Sequence, residues 1–201
     1  MADFIFDDMK KIGKAAVETK FGRATLYTYQ QPDHLYAFAT VFGDIYNGRG
    51  VFCRVHSACI TSESFFALNC DCREQLDEAF SLASKYGGII IYLPQEGRGN
   101  GIEAKMKQME IEASQEIDTL SAFEQSGFPI DSRTYEAASF ILKDQGVLSI
   151  QIHTANPHKI STLKTLGIVI EKRIQPKVTT TNPIALRNIR AKQKKMGYFS
   201  P

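Results

Sequence analysis

The sequence lacks a long hydrophobic run. No apolar stretch in the 201 residues approaches the ~20 residues that a membrane-spanning helix needs. The N-terminal segment Met1–Asp8 mixes acidic and apolar side chains, whereas a secretory signal joins a basic region to an apolar one. We therefore expect a cytoplasmic protein that has no membrane partner.

The sequence also lacks a strong net charge. Lysine and arginine together number 24 against 22 aspartates and glutamates, so the formal net charge is +2. The main basic concentration lies near the C-terminus, on positions typical of a solvated helix face. These residues are Arg187, Arg190, Lys192, Lys194 and Lys195. A nucleic-acid-binding module typically has a basic surface studded with aromatic residues, so we predict no nucleic-acid partner.

Internal repeats and low-complexity linkers are absent as well. Hydrophobic residues make up 43% of the chain and charged residues 23%, which is ordinary for a globular protein. We therefore predict one compact domain over residues 1–201. Residues 1–13 are expected to form an N-terminal arm or short helix, and residues 185–201 a C-terminal helix and tail.

The first half of the chain has the pattern of an antiparallel sheet. Residues 24–29, 34–42 and 50–56 are rich in aromatic and β-branched side chains and predict three strands. Turn formers separate them, at residues 31–33 and 47–50.

The second half alternates between strands and helices. Apolar residues at helical spacing predict a helix over 74–87, and residues 89–93 form an apolar run typical of a strand buried on both faces. The remaining predictions are a helix from about Glu103, an irregular stretch, a helix over 132–143 with Asp131 as N-cap, a strand over 147–152, a helix over 158–166, a strand over 168–174 and a helix over 185–195. The fold class is therefore α/β (α+β): a mixed sheet with antiparallel N-terminal strands and helices packed on it.

Three of the four cysteines are close together in the sequence. Cys59, Cys70 and Cys72 have the spacing Cys-x10-Cys-x-Cys, and Cys53 lies outside this pattern as a predicted buried strand residue. In a reducing compartment, clustered cysteines indicate metal binding or catalysis more than disulfides. Three thiolates leave one position of a tetrahedral zinc ion open for water or substrate, as in catalytic sites. Two alternatives stay open: the cysteines are small buried hydrophobes, or His56 is a fourth ligand and the site is structural.

Two polar loops follow predicted strands, at the end of the sheet where α/β proteins bind ligands. In residues 95–101, glycines let the backbone approach a phosphate, and Arg98 can bind it with two hydrogen bonds. In residues 153–159, Thr154 and Lys159 suit a phosphate at a helix N-terminus. A plain turn, a helix cap and a solvated lysine are the alternative interpretations.

Taken together, the motifs resemble one family. RVHSAC, CDC, QEGRGNG, the triplet Asp131-Ser132-Arg133, HTANPHK and KMGY follow one another in the order and spacing of GTP cyclohydrolase II, from about Lys20 to Tyr198. This enzyme opens the guanine ring of GTP at the head of riboflavin synthesis. The resemblance implies a homodimeric hydrolase that requires one zinc ion per chain, with Mg²⁺ accompanying the triphosphate.

The resemblance also implies roles for individual residues. Cys59, Cys70 and Cys72 match the zinc ligands, Asp131 the proton acceptor, and Arg133 the residue that attacks the α-phosphate to release pyrophosphate. Gln75 matches the residue that reads the guanine edge. The substrate-binding positions are Arg54, Val55, His56, Ser57, Ala58, Gln75, Glu96, Gly97, Arg98, Thr119, Thr154 and Lys159.

One position departs from the family pattern. In the family, the helix after the QEGR loop carries a tyrosine that assists hydrolysis near the zinc. Allowing a one-residue shift in that loop, the matching residue here is Met109, which cannot donate a hydrogen bond or a proton. We therefore expect ring opening and pyrophosphate release with retention of the formyl group. The alternatives are an ordinary enzyme that releases formate for riboflavin synthesis and an inactive GTP-binding homologue.

Overall fold

A seven-stranded mixed sheet organises the chain. The computed structural model describes residues 9–200. Its strands are β1 (Lys10–Thr19), β2 (Gly22–Gln30), β3 (Tyr36–Phe42), β4 (Val51–Ser57), β5 (Gly88–Leu93), β6 (Ile150–His153) and β7 (Ile170–Ile174), in the order β1-β2-β3-β5-β4-β6-β7. The pairs β1–β2, β2–β3 and β3–β5 are antiparallel. The pairs β5–β4, β4–β6 and β6–β7 are parallel. The predicted fold class is confirmed.

Seven helices connect or cover the strands in the described part of the chain. They are α1 (Ile60–Glu63), α2 (Cys72–Tyr86), α3 (Gly101–Gln115), α4 (Thr119–Ser126), α5 (Glu136–Asp144), α6 (Pro157–Thr165) and α7 (Pro183–Met196), with a 3-10 turn at Glu96–Gly99. Asn156 and Asn182 cap α6 and α7 through their side-chain oxygens, and each of these helices then begins with proline. No helix within residues 9–200 is long and apolar enough to cross a bilayer.

Packing on both faces explains why the central strands are apolar throughout. On one face, Val55 and Ile91 pack with Ile141 of α5 and Leu163 of α6. On the other face, Phe52 and Ile90 pack with small residues of α2. Cys53 of β4 is fully buried, as predicted. Because β5, β4 and β6 are parallel neighbours, their carboxyl ends meet at one edge of the sheet.

Four predictions about individual elements are wrong. The third predicted strand corresponds to β4, which is parallel to both of its neighbours and does not extend the antiparallel pairing of β1, β2 and β3. Residues 10–13 of the predicted arm lie in β1, while residues 1–8 lie outside the described part of the chain. The predicted irregular stretch contains α4, which Asp118 caps by accepting hydrogen bonds from the N–H groups of Leu120 and Ser121. The helix expected from residue 132 begins only at Glu136, with Tyr135 at the N-cap.

Asp131 is therefore not a helix cap. Its carboxylate accepts hydrogen bonds from the side chains of Arg98 and Arg133, so it has partners other than the N–H groups of α5. The segment between Asp131 and α5 is irregular, and Arg133 does not belong to a helix.

Candidate active site

A pocket lies at the edge of the sheet where β4, β5 and β6 end. It brings together most of the predicted site residues. These are Arg54, His56, Ser57, Ala58, Cys59, Cys70, Cys72, Gln75, Glu96, Gly97, Arg98, Met109, Thr119, Arg133, Thr154 and Lys159. Two predicted residues do not line the pocket and lie next to residues that do. Val55 is fully buried and presents its backbone oxygen to the ammonium group of Lys159 at 2.5 Å, and Asp131 holds the two arginines of the site.

The three clustered cysteines form one thiol group within the pocket. Cys59 directly precedes α1, Cys70 lies in the turn before α2, and Cys72 is the first residue of α2. Their sulfur atoms all lie within 4.8 Å of one another, and those of Cys59 and Cys70 are 3.6 Å apart. Tetrahedral zinc with Zn–S bonds of about 2.3 Å requires sulfurs about 3.8 Å apart. The group therefore fits a zinc ion.

His56 is not a fourth ligand in this arrangement. Within residues 9–200, the only group with metal-binding spacing at this site is the three cysteines. His56 Nε2 lies 2.8 Å from Glu63 Oε1, and Arg54 Nε lies 3.4 Å from Nδ1. Burial, reinforced by the charge of Arg54, lowers the pKa of His56 to about 4 although Glu63 opposes this. The imidazole is therefore neutral at pH 7, and it donates from Nε2 to Glu63 and accepts from Arg54 at Nδ1.

Lys105 supplies positive charge beside the thiols. It lies on α3, lines the pocket, and was given no role by sequence reasoning. Although burial opposes the charged form, Cys59, Cys70, Cys72 and Glu96 raise the pKa of Lys105. Hydrogen bonds from the neighbouring Cys59 and Cys72 thiols hold the pKa of Cys70 well below its usual range. The lysine would offset the excess negative charge of three thiolates around one divalent ion.

Glu63 fixes the loop that carries Cys59. Its Oε1 accepts a hydrogen bond from the Cys59 N–H at 3.0 Å, and its Oε2 accepts one from the Tyr92 hydroxyl at 2.6 Å. Burial raises the pKa of Glu63, but the hydrogen bonds from His56, Tyr92 and Cys59 outweigh burial and lower it. Sequence reasoning missed this residue because Glu63 ends α1 and its partner Tyr92 lies on β5, 29 positions away.

Replacing Glu63 with alanine should weaken zinc binding. The Cys59 amide loses its acceptor, and loss of a group that orients metal ligands typically costs about 10- to 100-fold in metal affinity. Competition with a chelator measures the change. Glu103→Ala, an exposed carboxylate on α3, is the matched control and should leave affinity unaltered. Equal affinities for the two variants would contradict the role of Glu63.

Gln75 is held in a defined orientation. Its Oε1 accepts a hydrogen bond from Arg54 Nη2 at 2.7 Å, and its Nε2 donates to Asp71 Oδ2 at 2.6 Å. Arg54 is itself buried and also donates to the backbone oxygen of His153. One amide hydrogen and one oxygen lone pair of Gln75 are left over after these bonds. The side chain can therefore present one donor and one acceptor to a ligand.

Cationic groups and free donors meet at the loop after β6. Burial, reinforced by the charges of Arg54 and Arg133, holds the pKa of Lys159 well below its usual range. Such a lysine becomes fully charged when an anion binds beside it. The side-chain nitrogen of Asn156 is buried without a partner in the described chain, and this residue also lines the pocket. Sequence reasoning passed over Asn156, whose unpaired donor suits a phosphate oxygen.

The loop of residues 95–101 packs against residues 130–133. Arg98, at a left-handed φ of 59°, donates from Nε to the Ile130 backbone oxygen and from Nη2 to Asp131 Oδ2, both at 2.6 Å. A Cβ atom at Gly99 would lie 2.7 Å from the carbonyl carbon of Ser132, so glycine is needed for this close approach. Nε and Nη2 of Arg98 are thus engaged by the protein, and its contact with a phosphate stays a prediction.

Asp131 holds the side chain of Arg133 with two hydrogen bonds. Arg133 donates from Nε to Oδ1 at 2.8 Å and from Nη2 to Oδ2 at 2.5 Å. Burial raises the pKa of Asp131, but Arg133 and Arg98 outweigh burial and lower it. An ionised carboxylate held by two guanidinium groups is a weak base. In the structure Asp131 orients Arg133, and its role as proton acceptor stays a prediction.

Met109 lines the pocket from α3, one helical turn after Lys105. The neighbouring Glu110 is exposed and is not part of the pocket wall. The carboxylate that does line the pocket is Glu112, which is buried and accepts a hydrogen bond from Asn188 Nδ2 at 2.7 Å. The other oxygen of Glu112 accepts a hydrogen bond from Gln108 Nε2. Because both carboxylate oxygens are acceptors and Glu110 points away from the pocket, neither residue is placed to replace a missing proton donor.

Known proteins match nearly the whole chain. Residues 10–175 match the family model described as GTP cyclohydrolase II. GTP cyclohydrolase-2 of Hahella chejuensis is 35% identical over 193 residues, covering 94% of this chain and 91% of that protein. GTP cyclohydrolase-2 of Campylobacter fetus is 35% identical over 188 residues, covering 92% and 93%. The riboflavin biosynthesis protein RibBA of Staphylococcus saprophyticus is 38% identical over 189 residues, covering 92% of this chain and 47% of that protein.

Proposed function

The chain belongs to the GTP cyclohydrolase II family, and we propose that it is a zinc- and magnesium-dependent hydrolase that opens the imidazole ring of GTP and releases pyrophosphate. One observation carries this proposal. The same pocket is lined by three thiols with zinc-binding spacing and by the cationic side chains of Arg54, Arg133 and Lys159. A nucleoside triphosphate needs both features, because its base is hydrolysed at one end and its phosphates carry the charge at the other.

At the base end, the chain binds and orients the guanine. A zinc ion held by Cys59, Cys70 and Cys72 would supply Lewis-acid activation of water. The free donor and acceptor of Gln75 would match the guanine edge, which offers one carbonyl oxygen and N–H groups. Neutral His56 and ionised Glu63 keep the Cys59 loop in place.

At the phosphate end, we assign Arg133 a role in stabilising charge. The resemblance implies that this residue attacks the α-phosphate. Although burial opposes the charged form, Asp131 and nearby tyrosines raise the pKa of Arg133 further above its usual range. A protonated guanidinium has five N–H donors and no lone pair for nucleophilic attack, so it suits the negative charge that develops on the phosphate oxygens. A water molecule would then attack the α-phosphorus, and pyrophosphate would leave. Thr154, Asn156 and Lys159 would bind phosphate oxygens beside it.

We further propose that the reaction at the base stops after ring opening, because Met109 cannot assist hydrolysis of the formyl group. Ring opening leaves a formamide, and its hydrolysis is a second reaction at the same carbon. A formamide is resonance-stabilised, and its leaving amine needs a correctly placed proton donor. Met109 lines the pocket and has no proton to give. The product would then be a formamidopyrimidine nucleoside monophosphate that keeps its formyl group.

Assay of formate against pyrophosphate in one incubation tests this product. We expect little formate from the natural protein and a higher formate yield from Met109→Tyr. Loss of a general acid typically costs about 10²- to 10⁴-fold in the step it assists. Met106→Tyr is the matched control, since Met106 lies on the same helix but is 54% exposed.

Equal amounts of formate and pyrophosphate from the natural protein would contradict formyl retention. That result would favour the ordinary deformylated product of riboflavin synthesis, with another group or a water molecule in place of the family tyrosine.

A further inference from the structure

The chain after α7 returns to the pocket. Gly197 ends the helix at a φ of 64°, in the left-handed region where glycine is favoured. The N–H of Tyr198 then donates to the Lys192 oxygen at 3.3 Å, and that of Phe199 to the Ala155 oxygen at 2.9 Å. Ala155 directly follows Thr154. The segment 196–199, here called the C-terminal clasp, is thus attached to the loop with the predicted phosphate ligands.

The clasp contacts both arginines that flank Asp131. Arg98 Nη2 lies 3.0 Å from the sulfur of Met196, and Arg133 Nη2 lies 3.1 Å from the hydroxyl oxygen of Tyr198. The guanidinium carbon of Arg173 lies 4.2 Å from the centre of the Phe199 ring, which anchors the end of the clasp. Tyr198 itself lines the pocket.

These bonds define which part of Arg133 is left for a ligand. Nε and Nη2 of Arg133 are bound by Asp131, and Nη2 is bound by Tyr198 as well. Within residues 9–200, Nη1 has no hydrogen-bond partner in the protein, and Arg133 lines the pocket. The guanidinium is therefore held along one edge by a carboxylate and a phenol, with its remaining nitrogen available to a phosphate oxygen.

We propose that Tyr198 is a positioning residue for pyrophosphate release, which acts by holding the guanidinium of Arg133. The inference rests on the proposed function of the same pocket. Asp131 alone leaves the guanidinium free to tilt about the axis of the paired bonds, and the phenol adds a contact from a different segment of the chain. A positioned cation contributes most in the transition state, where misplacement by about 1 Å is costly.

The charges around the phenol agree with this role. Burial raises the pKa of Tyr198, but Arg133, Arg98 and Lys192 outweigh burial and lower it. The three cations therefore favour an electron-rich phenol oxygen, which is the acceptor that Arg133 uses.

The variant Tyr198→Phe tests the proposal because it keeps the ring and removes only the hydroxyl. Pyrophosphate and ring-opened nucleotide are measured in the same incubation with GTP and Mg²⁺. We expect pyrophosphate release to fall about 10- to 100-fold, the factor that corresponds to a lost hydrogen bond to a charged group. KM for GTP and ring opening should change little, since the bond acts on the phosphate step. Tyr86→Phe, a 67% exposed phenol at the end of α2, is the matched control.

Two results would overturn the role of Tyr198. One is pyrophosphate release at the natural rate in Tyr198→Phe. The other is an equal loss of ring opening and pyrophosphate together with a lower melting temperature, because that pattern marks a purely structural residue. A natural protein that neither opens GTP nor releases pyrophosphate would instead refute the proposed function, and the positioning role with it.

Discussion

Replacing Cys70 with serine should remove zinc from the protein and abolish ring opening of GTP. The sulfur of Cys70 lies 3.6 Å from that of Cys59, and all three sulfurs lie within 4.8 Å of one another. A serine hydroxyl is not ionised at neutral pH and is a poor zinc ligand, so two thiolates would remain where zinc needs at least three protein ligands. Metal analysis should find about one zinc per chain in the natural protein and almost none in the variant.

Cys53→Ser is the matched control for this loss. Cys53 is fully buried in β4, and burial raises the pKa of its thiol to about 12, so it stays protonated and takes no part in metal binding. This variant should keep its zinc and lose only stability. A Cys70→Ser protein that retains both zinc and ring opening would refute the three-cysteine site.

Replacing Arg133 with alanine should abolish pyrophosphate release and leave ring opening largely intact. The substitution removes the cation that Asp131 and Tyr198 hold in the pocket, and it leaves the α-phosphate without this charge in the transition state. The three thiols and Gln75 are unchanged, so the base end of the site should still act. Chromatography should then show a ring-opened nucleotide that keeps its triphosphate.

Arg190→Ala is the control for this second variant, because Arg190 is an exposed arginine of α7. Its pyrophosphate release should match that of the natural protein. Pyrophosphate formed at the normal rate by Arg133→Ala would mean that another group acts at the α-phosphate.

The central fold could be predicted because its sequence signals are local and continuous. The apolar run of β5 is typical of a strand covered on both faces, and the structure places it between β3 and β4. The three thiols could be predicted to meet because cysteine is rare and its spacing is short. Local signals failed at Asp131, which resembles an N-cap in sequence but binds Arg98, 33 positions away.

The residues that sequence reasoning missed depend on distant partners. Glu63 stabilises the Cys59 loop through Tyr92, which lies 29 positions away, and Tyr198 contacts Arg133 across 65 positions. Glu63 stands in an ordinary pattern, and the KMGY motif that ends at Tyr198 gives no sign of which residue the tyrosine contacts. Lys105 also occupies an ordinary helix position, and only the folded chain brings it beside the thiols.

Mass spectrometry of the nucleotide formed from GTP and Mg²⁺ by the purified protein tests the central claim most directly. We predict a monophosphate in which the imidazole ring is hydrolysed and the formyl group is retained, together with one pyrophosphate for each nucleotide. Unreacted GTP, or GDP and GMP with an intact guanine ring, would contradict the assignment of this pocket to ring opening.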